Sequence, residues 1–181
     1  MRPGRLIAVV GPSGVGKDSV MRGIVDVLPH MHLVRRVITR APDLGGEDYD
    51  AVTVPQFRDM AENGEFAVHW GAHGLFYGIP QTVRSQLTKG TDCLANFSRE
   101  VLLAGADVFP QFLVLNITAK PETLAARLAA RGRETDAEIA GRLANADKPL
   151  PDGLEVIHLC NDGPLDNTVA RAIAQLQLAS V

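Results

Sequence analysis

The chain has 181 residues, 46% of them apolar and 22% charged, a balance that suits a globular fold with a full hydrophobic core and excludes a disordered or collagen-like chain. Its formal net charge is -3 with no basic block, which argues against a nucleic-acid partner. No apolar stretch approaches a membrane span, and the opening MRPGRLIAVVGPSG, broken by Gly11 and Pro12, does not read as an export signal, so the expected location is the cytoplasm.

Apolar runs alternate with helical patterns, the signature of a parallel sheet with helical crossovers, hence an α/β fold. Leu6–Val10 predicts the first strand and residues 18–28 the first helix, stopped by Pro29. Residues 33–39 predict a second strand, and the Pro- and Gly-containing segment 40–47 a loop. A short helix is expected over 54–63, then a hairpin whose arms, 66–70 and 75–79, flank Gly71-Ala72-His73-Gly74. Helix 81–89, strand 91–97, helix 99–106 and the β-branched strand Phe112–Thr118 follow. Pro121 opens a helix over 122–130, and Thr135 with Glu138 forms a capping box for a helix over 135–145. Strand 155–160 and the amphipathic helix Leu165–Leu178 close the pattern. Cys93 and Cys160 lie in apolar strand-like runs without metal-ligand spacing and are expected as buried, reduced thiols.

The segment between the first strand and first helix, GPSGVGKDS at 11–19, carries the chemistry. Gly-x-x-x-x-Gly-Lys is a Walker A loop, in which the glycines allow a tight turn and successive backbone N–H groups point at a phosphate. The helix start adds unsatisfied N–H groups and the positive end of its dipole. Gly11, Pro12, Ser13, Gly14, Val15, Gly16, Lys17 and Asp18 are therefore the predicted nucleotide-binding residues, with Lys17 the mobile charge for the transferred phosphate. Asp18 stands where a magnesium-binding Ser or Thr is usual. Two readings stay open: its carboxylate holds Mg²⁺ directly or through water, or it is only a favourable charge at a helix start.

A P-loop unit, a small hairpin-bearing insertion over about 40–80, a resumed parallel sheet and an arginine-rich helical pair over about 120–145 resemble the arrangement of the nucleoside monophosphate kinases within one domain spanning 1–181. The match is closest to the guanylate kinase family. Thr39-Arg40-Ala41-Pro42 resembles its phosphate-binding TRxP loop, Gly46-Glu47-Asp48-Tyr49 its GxDY segment, and Gly74-Leu75-Phe76-Tyr77-Gly78 its GNYYG turn. Arg131-Gly132-Arg133-Glu134-Thr135 with Arg142-Leu143 resembles its lid, and Cys160-Asn161-Asp162 its VND ending. The resemblance implies ATP and Mg²⁺ as cofactors, Arg131 and Arg142 as catalytic lid arginines beside Lys17, and Arg40, Tyr49 and Tyr77 as acceptor-binding residues.

Several positions depart from that pattern. Val68 stands where the family reads guanine with a carboxylate, Ile79 where it adds a hydroxyl, and Asp43 where a second acceptor-phosphate arginine is expected. Asn96 and Ser98 replace an acidic pair at the end of the fourth strand. A pocket lined by Val and Ile leaves guanine N–H groups unpaired, roughly 1–3 kcal/mol for each lost bond. The altered set, with Trp70-Gly71-Ala72-His73-Gly74-Leu75-Phe76-Tyr77-Gly78-Ile79-Pro80 at the turn and Asn96-Phe97-Ser98-Arg99 at the strand end, resembles a branch whose acceptor is the sugar phosphate ribose 1,5-bisphosphate. Two alternatives are a guanylate kinase with an atypical base pocket and a non-catalytic binding module. Arg36 is expected either on the sheet face of Val34 and Ile38 or standing out as a ligand. His69 and His73 are read as hairpin side chains, or one as a sugar neighbour, and Trp70 and Phe97 as core. The oligomeric state is not legible.

Overall fold

A computed structural model describes residues 2–42, 46–132 and 134–179. Strands β1 (Leu6–Val10), β2 (His32–Leu33), β7 (Cys93–Asn96), β8 (Phe112–Thr118) and β9 (Val156–Cys160) form a parallel sheet in the order β2-β7-β1-β8-β9. All five residues of β1 are buried, because this central strand is covered on both faces. Side chains alternate across a strand, so Ile7 and Val9 join one core while Leu6, Ala8 and Val10 join another.

The Ile7 face is covered by α1 (Lys17–Val27), α5 (Pro121–Arg131) and α7 (Leu165–Leu178), through Val20, Met21, Ile24, Leu124, Val169, Ala172 and Leu176. Each large aliphatic side chain buried there contributes about 1.5–3 kcal/mol before chain entropy is counted. The Leu6 face meets a second sheet of β3 (Val37–Ile38), β4 (Asp50–Ala51), β5 (Phe66–Ala72) and β6 (Leu75–Pro80), ordered β4-β3-β6-β5. From it Ile38, Val68, Trp70, Tyr77 and Ile79 pack with Phe97 and Ala95 of the parallel-sheet side. The remaining helices are α2 (Val54–Glu62), α3 (Val83–Thr88), α4 (Leu102–Val108) and α6 (Asp136–Ala144). The predicted capping box begins α6: Glu138 N–H donates to Thr135 Oγ1 at 3.3 Å and Thr135 N–H to Glu138 Oε2 at 2.7 Å.

Two expectations are corrected, and one short strand was not predicted. The strand predicted over 33–39 is two strands in different sheets. Val34 N–H still donates to the Leu94 carbonyl at 2.8 Å, after which the chain leaves β7, and Val37 and Ile38 pair antiparallel with β6. Alternating hydrophobicity records that a segment is extended, not which sheet it joins. The edge strand β4 has both residues exposed, so it carries no apolar pattern to read. Cys93 is buried as expected, but Cys160 is exposed: it ends β9, whose partner is β8 on one side only.

Candidate active site

The P-loop lies at the carboxyl end of β1, where ligands bind in open α/β sheets. Its shape is fixed by close backbone approaches. A Cβ on Gly11 would lie 2.4 Å from the Ile117 carbonyl oxygen, and one on Gly16, at φ 93°, would lie 2.8 Å from Asn161 Nδ2. The Val15 carbonyl is pinned from behind by Asn161 Nδ2 at 2.8 Å and Arg127 Nη1 at 3.2 Å. Arg127 Nη2 also donates to the Asn161 carbonyl at 2.8 Å, which ties α5 to the loop after β9. No side chain caps α1, so its first N–H groups are free to meet an anion.

Lys17 is folded back on this loop, its ammonium donating to the carbonyls of Gly11 at 2.9 Å and Pro12 at 3.3 Å. Burial lowers its pKa from 10.5 to about 8. Asp18 opposes that shift, Arg36 adds to it, Glu47 opposes it and Arg99 adds to it. An approaching phosphate supplies the negative charge this lysine lacks.

Asp18, in the first turn of α1, accepts a hydrogen bond on Oδ1 from Asn96 Nδ2 at 2.8 Å. Its Oδ2 faces the acceptor loop, 3.7 Å from where a Cβ on Gly46 would sit. Asn96 Oδ1 is buried with no partner among the described residues. One oriented carboxylate with an open oxygen, next to a phosphate loop, suits Mg²⁺, which takes one or two carboxylates and completes its shell with phosphate oxygens and water. Among the described residues no cluster of three or more His, Cys, Asp or Glu side chains forms a stand-alone metal site.

The residues predicted to bind the acceptor lie on and beside the small sheet. Arg40 lies 5.2 Å over the ring of Tyr49, whose hydroxyl donates to the Ala41 carbonyl. Tyr77 is buried and stacked on Trp70 at 5.6 Å, and the Trp70 indole N–H donates to Ser98 Oγ at 3.0 Å. Val68 and Ile79, at the positions of the family's base readers, are 7% and 0% exposed and belong to the apolar core. Arg36 is buried over the Trp70 and Tyr77 rings and paired with Glu47. Asp43 lies outside the described residues.

On the lid side, α6 already touches the P-loop: Arg142 Nη1 meets Ser13 Oγ at 2.5 Å, and Nη2 pairs with Glu134 at 3.1 Å. Arg131 is exposed in the last turn of α5. Arg99 donates to the carbonyls of Asn145 at 3.4 Å and Ala146 at 2.9 Å, anchoring the far end of α6 to the strand end beside Asn96. Arg133 lies outside the described residues. His73 is exposed in the hairpin turn, and exposed His69 packs near Phe57 and Phe66.

The structure thus brings Arg142 against Ser13 of the P-loop and puts Asp18 in the first turn of the helix that follows it, while Arg40 and Tyr49 flank strands β3 and β4 and Tyr77 lies on β6 of the small sheet. Sequence reasoning missed the supports: Arg127 fell only within the arginine-rich pair over about 120–145, Asn161 only inside the VND-like ending, and Asn96 only as a departure.

A model of the guanylate kinase family matches residues 3–175. The ribose 1,5-bisphosphate phosphokinase PhnN of Ruegeria sp. (strain TM1040) is 50% identical over 175 residues, covering 96% of this chain and 92% of that protein. The protein of the same description from Rhizobium etli (strain CIAT 652) is 43% identical over 180 residues, covering 96% of this chain and 89% of its own. Among solved structures, guanylate kinase from Anaplasma phagocytophilum superposes with a TM-score of 0.70 at 21% identity, covering 98% of this chain and 87% of that one, a likeness of fold. By this match over nearly its whole length, the chain belongs to the guanylate kinase family.

Proposed function

We propose that the chain transfers the γ-phosphoryl group of ATP to the 1-phosphate of ribose 1,5-bisphosphate, giving ADP and 5-phospho-α-D-ribosyl 1-diphosphate. The observation that carries this reading is the filled base pocket. Val68 and Ile79 are packed into the core with Trp70 and Tyr77, so a purine edge meets no polar partner at those two positions. A base would lose several kcal/mol of hydrogen bonding in such a site, whereas a sugar with a phosphate at each end needs cations. Arg40 and Arg36 supply them on the acceptor side and Lys17 on the donor side. The similarity to proteins described as ribose 1,5-bisphosphate phosphokinases supports the same acceptor.

Phosphoryl transfer is mainly positioning and charge stabilisation. In this reading the P-loop amides of Gly14, Val15 and Gly16 and the Lys17 ammonium hold the β- and γ-phosphates. Arg40, Tyr49 and Tyr77 orient the acceptor, and Arg131 and Arg142 close over the transferring group as the 120–145 segment acts as a lid. Asp18 would hold Mg²⁺ with the nucleotide phosphates, and the ion would neutralise charge between them. The whole chain works as one catalytic unit in the cytoplasm, with the 40–80 segment as its acceptor-binding part and no nucleic-acid partner. Among the described residues no helix is long and apolar enough to cross a membrane.

ADP release measured with ribose 1,5-bisphosphate, ribose 5-phosphate, GMP and dGMP side by side tests the acceptor. Turnover with ribose 1,5-bisphosphate should be fastest and GMP far slower. Equal or faster turnover of GMP overturns the assignment.

A further inference from the structure

Arg36 is a buried charge for which the reading above does not yet give a specific task. It lies in the connection between β2 and β3, where the chain passes from one sheet to the other, and is 7% exposed. Glu47, across the acceptor loop, accepts from its Nε at 2.6 Å and from Nη2 at 2.6 Å, a bidentate fork. The guanidinium carbon lies 4.8 Å over the Tyr77 ring and 5.7 Å over the Trp70 ring. Those rings are fixed in turn, Trp70 by its bond to Ser98 and by stacking between Tyr77 and Phe97, each at 5.6 Å. The guanidinium is thus held in one plane by a carboxylate and two aromatic faces.

Such a pair is a poor device for stability alone. Taking two charges out of water offsets most of their attraction, and apolar side chains of the same volume stabilise a core as well or better. Its place suggests another use. Gly46, the chain neighbour of Glu47, approaches the first turn of α1, where its Cβ position would lie 3.7 Å from Asp18 Oδ2, so the fork sits beside the phosphate loop's helix. Glu47 engages only Nε and Nη2, and Nη1 makes no hydrogen bond among the described residues. The two rings the guanidinium lies over, Trp70 and Tyr77, belong to the same apolar cluster as Val68 and Ile79. An acceptor whose first phosphate is held at Arg40 and Tyr49 has Arg36, on the same chain segment just before Arg40, as a second cation for its other end.

We propose that Arg36, held by Glu47 on the Trp70 and Tyr77 faces, is the specificity-determining residue of the acceptor site and binds the phosphate that is not extended, the 5-phosphate of the sugar. Glu47 is a positioning residue that fixes the fork. The nucleobase pocket of the fold has become a phosphate pocket by placing one buried arginine against an apolar wall. This rests on the acceptor assignment above.

The test uses the two half-substrates, ribose 5-phosphate and α-D-ribose 1-phosphate, in equilibrium binding to the full chain, together with steady-state kinetics on ribose 1,5-bisphosphate. Arg36→Met keeps the stem and removes the charge. It should weaken ribose 5-phosphate binding about 10²-fold or more, leave ribose 1-phosphate within about threefold, and raise KM for the bisphosphate with KM for ATP unchanged. Glu47→Gln should show the same selective loss at about tenfold. Arg36→Lys, which keeps a charge but not the fork, should recover part of the ribose 5-phosphate affinity, and it carries the test if the Met variant does not fold. Equal loss of both half-substrates, or loss of neither, overturns the role of Arg36 while the acceptor assignment stands. A wild-type chain that turns over GMP in preference to the bisphosphate overturns both.

Discussion

Raising the pH from 7 to 9 should switch off nucleotide capture through Lys17. Burial among the P-loop carbonyls brings this ammonium from 10.5 down to about 8, so in the free enzyme it is charged at neutral pH and largely neutral one unit above its pKa. Capture of MgATP depends on the charged form, and the charged fraction falls about tenfold over these two pH units. kcat/KM for MgATP reports the free enzyme and should therefore fall about tenfold between pH 7 and 9. Once the nucleotide is bound, its phosphates favour the charged lysine, so the corresponding limb in kcat should lie at higher pH. Phosphate groups complete their ionisation near pH 6, below this window, which leaves the limb to the protein. The assay is ADP release at a fixed acceptor concentration well below its KM across pH 6.5 to 10, with Lys17→Arg as control, since a guanidinium does not titrate there. The variant should be slower throughout and flat. A wild-type kcat/KM that stays level through pH 9.5, or a limb that persists in Lys17→Arg, refutes the reasoning.

Removing the strut behind the loop should show in stability and nucleotide binding together. Asn161→Ala leaves the Val15 carbonyl with Arg127 as its remaining side-chain partner, a loss of about 1–3 kcal/mol, so Tm should fall by several degrees and KM for ATP should rise. An unchanged Tm measured by calorimetry contradicts that role. Arg131→Ala and Arg142→Ala should each depress kcat by about 10²-fold, more than they raise KM, because lid arginines meet phosphates chiefly in the closed state. A pure rise in KM for ATP makes them ground-state binding groups. Asp18→Asn, which keeps an oxygen for Asn96, and Asp18→Ser should both need more Mg²⁺ for half-maximal rate at fixed ATP. An Asn variant that follows the wild-type titration returns Asp18 to a favourable helix-start charge.

Local signals read well in this sequence, and non-local ones did not. The P-loop was legible because its glycines, lysine, preceding strand and following helix lie within one short stretch. Strand β8 and helix α7 fell on their predicted bounds because their patterns are long and uninterrupted. The splitting of 33–39 between two sheets was not legible, since pairing partners are set by β6 and β7, which come much later in the chain. The same holds at the site. Asn96 reaches Asp18 across 78 positions and Asn161 reaches Val15 across 146, contacts that no motif spacing encodes. Arg36 was ambiguous for a related reason: alternation placed it with Val34 and Ile38, and only the fold of the acceptor loop brings Glu47 against it. The departures Val68 and Ile79 were informative because an apolar residue in a polar reader's place removes hydrogen bonds wherever the backbone puts it.

The position of the new phosphoryl group tests the central claim most directly. Phosphorus NMR of the enzyme with ATP, Mg²⁺ and ribose 1,5-bisphosphate should show ATP converted to ADP. A new pair of coupled diphosphate signals should appear on C1 of the sugar, while the 5-phosphate signal remains an uncoupled monoester. With GMP in place of the sugar, ATP should persist over the same period. A coupled diphosphate at the 5-position, or conversion of GMP to GDP at a rate matching the sugar reaction, would contradict the account.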